Sequence, residues 1–285
     1  MSTVVAEYIL FGASISATWI LIASGFTLLY GVTKIVNVAY GLPYALSAYM
    51  LYYLVMVVGV NTILAIPFCL LIAVMVDLIV FRLAVKPIME NHELTITATF
   101  LIAITATQAF MLLFSPQPRG VPTIIEGSIS ILGVSTVLQR LTLIPLSILV
   151  LLGLHIFLKK TRQGKVIRAL AQDALAVRLL GIGVQNYQLI VLIMSSMLAS
   201  LAGVFYVSLE VATPTTILDP IVPIFTVTIL GGLGSTPGAI VAGLLLGYSE
   251  TAAIYLFGSQ LRGIIPLLVA ILVIQIRPYG LLGRK

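Results

Sequence analysis

The stretch KKTRQGKVIRALAQDALAVRLLGIG, residues 159–183, gathers Lys159, Lys160, Arg162, Lys165, Arg168 and Arg178 into one segment of a 285-residue chain that holds 15 Lys and Arg in all. On both sides of it the sequence is one apolar block after another. Hydrophobic residues make up 60 % of the chain and charged ones 8 %, and the mean hydropathy is +1.19. Such a composition belongs in a bilayer. A basic, amphipathic segment inside it is a loop between membrane spans, and the fold follows from fixing the side on which that loop lies.

Counted around this loop, apolar segments fall at 8–30, 36–58, 62–81, 94–114 and 141–158 before it, and at 187–207, 217–230, 239–257 and 263–276 after it. With roughly 20 residues needed per span, they predict an all-α polytopic bundle of about 8–9 spans. One transmembrane domain then occupies residues 1–285, without room for a separate soluble domain. The first segment is too long for a signal-peptide core and reads as an uncleaved span. The seventh is short and opens on Pro220 and Pro223, so a broken or tilted helix is as good a reading there as a full crossing.

Basic residues near span ends stay in the cytoplasm. With residues 159–183 inside, the inside also holds Lys34, Arg82, Lys86, Arg277, Arg284 and Lys285, and the outside holds only Arg119, Arg140 and Arg262. This asymmetry predicts a plasma (inner) membrane protein with its N-terminus outside and its C-terminus in the cytoplasm, provided the seventh segment crosses. It also accounts for the net charge of +6. The basic residues are spread over loops, so the expected partner is membrane lipid and no nucleic acid.

Within the basic loop, residues 164–180 are predicted to form a short helix. Val166, Leu170, Val177 and Leu180 fall near one face, and Gly181 is placed to end the helix in a left-handed conformation. The helix either lies along the membrane surface or plugs into a partner. Residues 115–139 form the longest extracytoplasmic loop. Pro116, Pro118, Gly120, Pro122, Gly127 and Gly133 punctuate it, and the alternation over 123–132 is compatible with short strands.

The remaining candidates carry little chemistry. Cys69 sits in an apolar run and reads as a small buried hydrophobe. His92 and His155 are isolated, so no metal site is expected. No HExxH, GxSxG or phosphate-cradling GxxxxGK[ST] occurs, so no catalytic residue and no nucleotide site are expected in this chain. Asp77, Glu210, Asp219 and Glu250 are the acids available for ion coupling. Asp77 lies near Arg82 at the inner boundary, Glu210 and Asp219 in an outer loop, and Glu250 in the outer half of its span, and they form no intramembrane acid chain. A path lined mainly by small and aliphatic residues then offers no fixed charge and suits small neutral solutes.

Two small-residue clusters remain. Gly231, Gly232, Gly234, Ser235 and Gly238 join two apolar segments with almost no bulk, on the cytoplasmic side beside the basic loop. They supply either close packing, extended by Gly243 and Gly247, or unusual backbone angles. Asn37 and Gly41, between the first two spans, either pack helices or line the pathway.

Residues 162–182, RQGKVIRALAQDALAVRLLGI, resemble a family, as do GFTLLYGVTKIVNVAYG at 25–41 and LGGLGSTPGAIVAGLLLGYSE at 230–250. All three are similar to stretches of the permease subunits of branched-chain amino acid ABC importers, the LivH-like kind, and related urea and amide permeases share the patterns. The resemblance runs in order over nearly the whole chain. It departs at Tyr40, where the family usually has His. It implies that Arg168, Ala171, Asp173, Leu179 and Gly181 form the coupling motif that docks on separate ABC ATPase subunits. Those subunits bind ATP and Mg, and this chain has no cofactor of its own. Asp173 then pairs with a basic residue of the ATPase or with Arg168. A second homologous permease and an extracytoplasmic solute-binding protein complete the implied importer. It moves branched-chain or similar small neutral amino acids by ATP-driven alternating access; the alternatives are urea or a short amide. A stand-alone ion-coupled secondary transporter needs instead a buried ionisable relay or a pair of broken spans, at which only residues 217–238 hint.

Overall fold

Long apolar runs with few breakers satisfy their backbone hydrogen bonds internally, and helices are the way to do so in a bilayer. The computed structural model describes residues 2–125, 127–131, 134–258, 261, 263–277 and 280–282. Its helices are α1 (Ser2–Thr33), α2 (Gly41–Tyr52), α3 (Thr62–Val80), α4 (His92–Phe114), α5 (Leu138–Lys160) and α6 (Arg162–Gln172), followed by α7 (Ala174–Leu179), α8 (Val184–Val207), α9 (Ile221–Gly231), α10 (Thr236–Phe257) and α11 (Ile264–Ile276). Among the described residues, 8 segments are long and apolar enough to cross a membrane, with the end of α11 as a shorter apolar helix. Asparagines start two of them: Asn61 Oδ1 accepts from Ile63 N and Asn91 Oδ1 from Leu94 N, each satisfying a donor that the first turn leaves open. α3 does not stop near residue 81 as the sequence suggests. It runs on through a wider turn at Phe81–Val85 and a tighter one at Lys86–Ile88.

Between lipid-like surfaces, exposed apolar side chains carry no penalty, so helices associate through close packing of small residues. α3 and α5 accordingly turn Phe68, Leu71, Leu149 and Leu152 outwards, while α1 and α8 form the interior. On α10, a Cβ at Gly243 or Gly247 would overlap Ile20 or Ser16 of α1, which explains the small-residue spacing read from the sequence. α8 meets α2 in the same way, with Ser47 Oγ donating to Ser200 O at 2.8 Å. Cys69 is a fully buried free thiol.

The basic residues mark one end of the bundle. Lys34 Nζ donates to Ala171 O and Lys86 Nζ to Gln185 Oε1, each at 3.2 Å, and Leu281 N past α11 bonds to Leu230 O at 2.7 Å. At the opposite end Tyr8 OH donates to Tyr248 O, Arg140 lies 3.9 Å over the Phe11 ring, and Arg119 and Ala212 exchange backbone hydrogen bonds of 2.8 and 2.7 Å. The chain thus starts at one end and finishes at the other; Arg262, Arg284 and Lys285 lie outside the described residues. Within the loop at 115–139, β1 (Ser128–Ile131) pairs antiparallel with β2 (Val134–Val137), Ser128 opposite Val137. Of the alternating stretch at 123–132, residues 128–131 form a strand, whereas 123–125 do not.

Two helices are interrupted inside the bundle. After α1, Lys34 adopts φ +56 and the chain extends inwards, so that Val38 N bonds to Thr99 Oγ1. Thr99 is seven residues into α4, about 10 Å from its end at 1.5 Å per residue. Only there does the next span begin, with a single 3-10 turn at Val38–Tyr40 leading into α2. In the second half the chain descends from Ala212 through a 3-10 turn at Pro214–Ile217 and starts α9 past Pro220. The seventh segment therefore crosses and is broken at once. The first interruption was not read from the sequence.

Candidate functional site

The basic loop is not one helix over 164–180 but two. Thr161 Oγ1 caps α6 by accepting from Gly164 N at 2.9 Å. At Asp173 the backbone opens to φ −149, ψ 102, and its Oδ1 accepts from Leu175 N at 2.9 Å and Ala176 N at 3.0 Å, starting α7. Asp competes with the helix in this way wherever it can cap the next one. Its carboxylate is thus engaged within the loop, and Arg168 is not among the partners described for it. Gly181, at φ +74, ends α7 in the left-handed conformation expected of it. Ile167, Leu170 and Val177 are buried against the bundle, whereas Leu175, Leu179 and Leu180 are exposed. Leu180 therefore does not share the buried face with Val177 as the periodicity suggested.

This knob sits on the ends of other helices. Lys34 ties α1 to Ala171 in the last turn of α6, where a cation meets the negative end of a helix. A Cβ at Gly31 would lie 3.4 Å from Gly234 Cα and 4.0 Å from Ala171 Cβ. The turn between α9 and α10 is thus beside the knob, as expected. That turn uses its small residues in both ways considered. Gly232 and Gly234 have φ +98 and +84, while a Cβ at Gly231 or Gly238 would overlap the other's backbone. Ser235 Oγ caps α10 by accepting from Gly238 N.

The two interruptions meet. A Cβ at Gly41 would overlap Ile217 O and lie 3.4 Å from Pro220 Cγ. Asn37, itself buried, holds the first break by accepting from Ala39 N through Oδ1. Tyr40, where the resembled permeases usually have His, donates to Ser195 O at 2.8 Å and packs edge-on against Phe26.

Beside this junction lies a cavity of about 420 Å³. Tyr44 of α2, Trp19 of α1 and Tyr206 of α8 supply its rings, Asp219 and Thr226 come from the broken seventh segment, and Glu250 comes from α10. Trp19 Nε1 donates to Glu250 Oε2 at 2.6 Å. Behind Trp19 and Tyr206 a second cavity, about 290 Å³, is lined by Arg140 and Glu210 among others. Asp219 and Glu250, 31 residues apart in sequence, line one cavity, so Asp219 does not lie in an outer loop apart from Glu250. Asp77 is likewise not at a boundary beside Arg82: because α3 continues to residue 88, Asp77 is buried within the bundle and accepts a hydrogen bond from Ser196 Oγ.

The family model for the "Branched-chain amino acid transport system / permease component" matches residues 8–274. The chain belongs to this permease family. The permease is 29 % identical to the high-affinity branched-chain amino acid transport system permease protein BraD of Pseudomonas aeruginosa, over 96 % of this chain and 94 % of that one. It is 30 % identical to the probable branched-chain amino acid transport permease protein LivH of Methanocaldococcus jannaschii, over 97 % and 92 %. LivH of Escherichia coli is 27 % identical over 96 % and 94 %. A solved structure, PsaBC from Streptococcus pneumoniae in complex with Fab, shares the fold with a TM-score of 0.52 at 14 % identity, over 96 % of this chain and 97 % of that one. The permease is a multi-pass membrane protein and a transport component.

The sequence singled out the knob and the glycine turn. It missed the cavity, because Trp19, Asp219, Thr226 and Glu250 come from three separate segments that only the fold brings together. The signal available was the pair of punctuated stretches around Asn37–Gly41 and Pro214–Pro223, since paired interruptions in a transporter mark its binding site.

Proposed function

We propose that this permease is the membrane-spanning subunit of an ABC importer that takes up branched-chain or similar small neutral amino acids by ATP-driven alternating access. The observation that carries this reading is the α6–α7 knob, which rests on the bundle through Ile167 and Leu170 and turns Leu175, Leu179 and Leu180 away from it. Burying such a side chain is worth about 2 kcal/mol, so an exposed trio invites a partner, and the partner that membership in this family suggests is an ATPase subunit. Arg168, Ala171, Asp173, Leu179 and Gly181 are assigned to that contact. ATP and Mg²⁺ are bound by the ATPase, with no cofactor in this chain.

In this reading the knob faces the cytoplasm across a plasma (inner) membrane, with the N-terminus outside and the C-terminus inside. An extracytoplasmic solute-binding protein delivers the amino acid at the end that carries the β1–β2 hairpin. A second homologous permease completes the pathway. Motion of the ATPases moves the knob, and the Lys34–Ala171 and Gly31–Gly234 contacts pass it to α1 and to the α9–α10 turn.

Affinity purification of the tagged full-length chain, co-expressed with its ATPases, is expected to recover those ATPases and to support ATP-dependent leucine uptake in reconstituted vesicles. Ion-driven transport by the isolated chain would overturn the reading.

A further inference from the structure

We propose that the corner between α5 and α6 binds the phosphate headgroup of an acidic phospholipid in the leaflet on the knob's side, through His155, Lys159, Lys160, Arg162 and Lys165. None of these residues lines the cavities described above or belongs to the contact assigned to the ATPase.

The lipid-facing side of α5 leads into this corner. Ile148, Leu149, Leu152 and Ile156 are exposed apolar residues of that helix. At 3.6 residues per turn, positions 148, 152, 155 and 159 fall on one side, so His155 stands exposed in an otherwise aliphatic stripe, one turn before Lys159. It is five residues from the last residue of the helix, Lys160, or about 7 Å at 1.5 Å per residue. An imidazole facing hydrocarbon is costly, whereas one at that depth reaches the headgroups. The bias of basic residues toward one side of a membrane accounts for lysines and arginines wherever they fall in a loop. It gives no reason for a histidine within the span on its lipid side.

The four cations are held together without an acid. Among the described residues, Lys159, Lys160, Arg162 and Lys165 are exposed and make no ion pair or side-chain hydrogen bond. Asp173, the next acid along the chain, has its Oδ1 engaged by Leu175 N and Ala176 N. Glu90 and Glu93 lie at the start of α4, whereas α5 packs on α1 and α6. The corner itself is fixed. A Cβ at Gly164 would overlap Phe157 O and the backbone of Leu158, and Thr161 Oγ1 donates to Phe157 O at 2.7 Å while accepting from Gly164 N at 2.9 Å. α6 therefore starts flush against the end of α5, which keeps Arg162 and Lys165 beside Lys159 and Lys160. Like charges so placed repel one another, and an anion between them relieves the repulsion. A phosphate suits this set: guanidinium and ammonium groups bind its oxygens, and imidazole offers an N–H in every protonation state. Basic clusters next to a span recognise acidic lipids in this way. The occupant is a lipid and not a free phosphate because the aliphatic stripe runs on beneath the cations, where Leu152 and Ile156 receive an acyl chain.

Purified full-length permease in detergent is titrated with dioleoyl phosphatidylglycerol, dioleoyl phosphatidylcholine and glycerol 1-phosphate, and the adducts retained are counted by native mass spectrometry. A saturable phosphatidylglycerol adduct is expected, with none from the other two at the same concentration. Lys159→Gln combined with Lys165→Gln should weaken that adduct about tenfold or more, since each cation near a membrane surface contributes roughly fivefold. His155→Leu should weaken it several-fold and leave the melting temperature unchanged, because the residue is exposed and leucine continues the stripe. Arg82→Gln, at an exposed cation just past α3, is the reference and should bind as the parent does. Parental binding in the double lysine variant, or equal loss in Arg82→Gln, overturns the site in favour of diffuse surface charge. Parental binding in His155→Leu overturns the placement of the headgroup on the α5 stripe. Phosphatidylcholine retained as well as phosphatidylglycerol overturns headgroup recognition, and glycerol 1-phosphate retained equally overturns the lipid as occupant.

Discussion

Lys34 Nζ donates to the carbonyl oxygen of Ala171 at 3.2 Å, joining the end of α1 to the last turn of α6. α1 packs along α8, α9 and α10, so this bond links the knob to the helices that wall the cavity. Lys34→Met keeps the length of the side chain and removes the donor. Because the bond is exposed, stability should fall by no more than about 1 kcal/mol. Solute-stimulated ATP hydrolysis by the purified complex should fall several-fold, and an unchanged rate would show that the knob is not driven through α1.

Asp173 offers a sharper separation of roles, because capping and ion pairing respond differently to the same pair of substitutions. Asn caps a helix about as well as Asp, whereas Ala loses the cap at a cost of about 1 kcal/mol. If the role of Asp173 is to start α7, Asp173→Asn should retain stimulated ATP hydrolysis and Asp173→Ala should lose it. Equal loss in both variants would assign the carboxylate to a charged partner instead.

Much of this architecture was legible from composition and punctuation. Apolar runs and a basic loop sufficed for the spans and for which residues share an end, because bilayer physics acts on local sequence. The interruption at Lys34–Gly41 was not legible, since Val36, Val38 and Ala39 keep the run apolar and only Asn37 and Gly41 break it. The split of the loop at Asp173 was hidden for a related reason: its periodicity suits one helix, and a single side chain that caps the next turn overrides it. Glu250 and Asp219 were visible as acids, but their common cavity depends on how α9 and α10 return past α1.

The α9–α10 turn now separates packing from backbone geometry residue by residue. Gly232 has φ +98, so Gly232→Ala and Gly232→Leu should be similarly harmful, both carrying a Cβ where none is tolerated. Gly238 lies against the backbone of Gly231, so Gly238→Ala overpacks the turn at about 1 to 3 kcal/mol. Thermal melting of the three variants in detergent checks this. A Gly232→Ala variant as stable as the parent, with Gly232→Leu impaired, would return Gly232 to a packing role.

The buried pair of Asp77 and Ser196 joins α3 to α8 across the interior. Ser196→Ala leaves an acceptor without its donor, at a cost of about 1 to 3 kcal/mol. In that background Asp77→Leu should recover part of the loss, since removing both partners is milder than orphaning one. A double-mutant cycle in melting temperature checks the coupling, and strict additivity would remove it.

Gly41 carries the most demanding prediction, because two interrupted helices meet at its Cα. A methyl group there would overlap the carbonyl oxygen of Ile217, which is backbone and has no rotamer by which to yield. Gly41→Ala must therefore push the 3-10 turn at Pro214–Ile217 away from the start of α2, opening the wall between Tyr44 and Asp219. The expected cost in stability is about 1 to 3 kcal/mol from overpacking. The expected loss of leucine uptake is larger than that cost explains, since the displaced residues line the cavity. Tyr53→Ala, at an exposed position beyond the end of α2, serves as the reference for a change in the same span. Uptake by assembled transporter at matched protein levels decides the matter: if Gly41→Ala transports as Tyr53→Ala does, the contact between the two breaks is packing without consequence for the solute path.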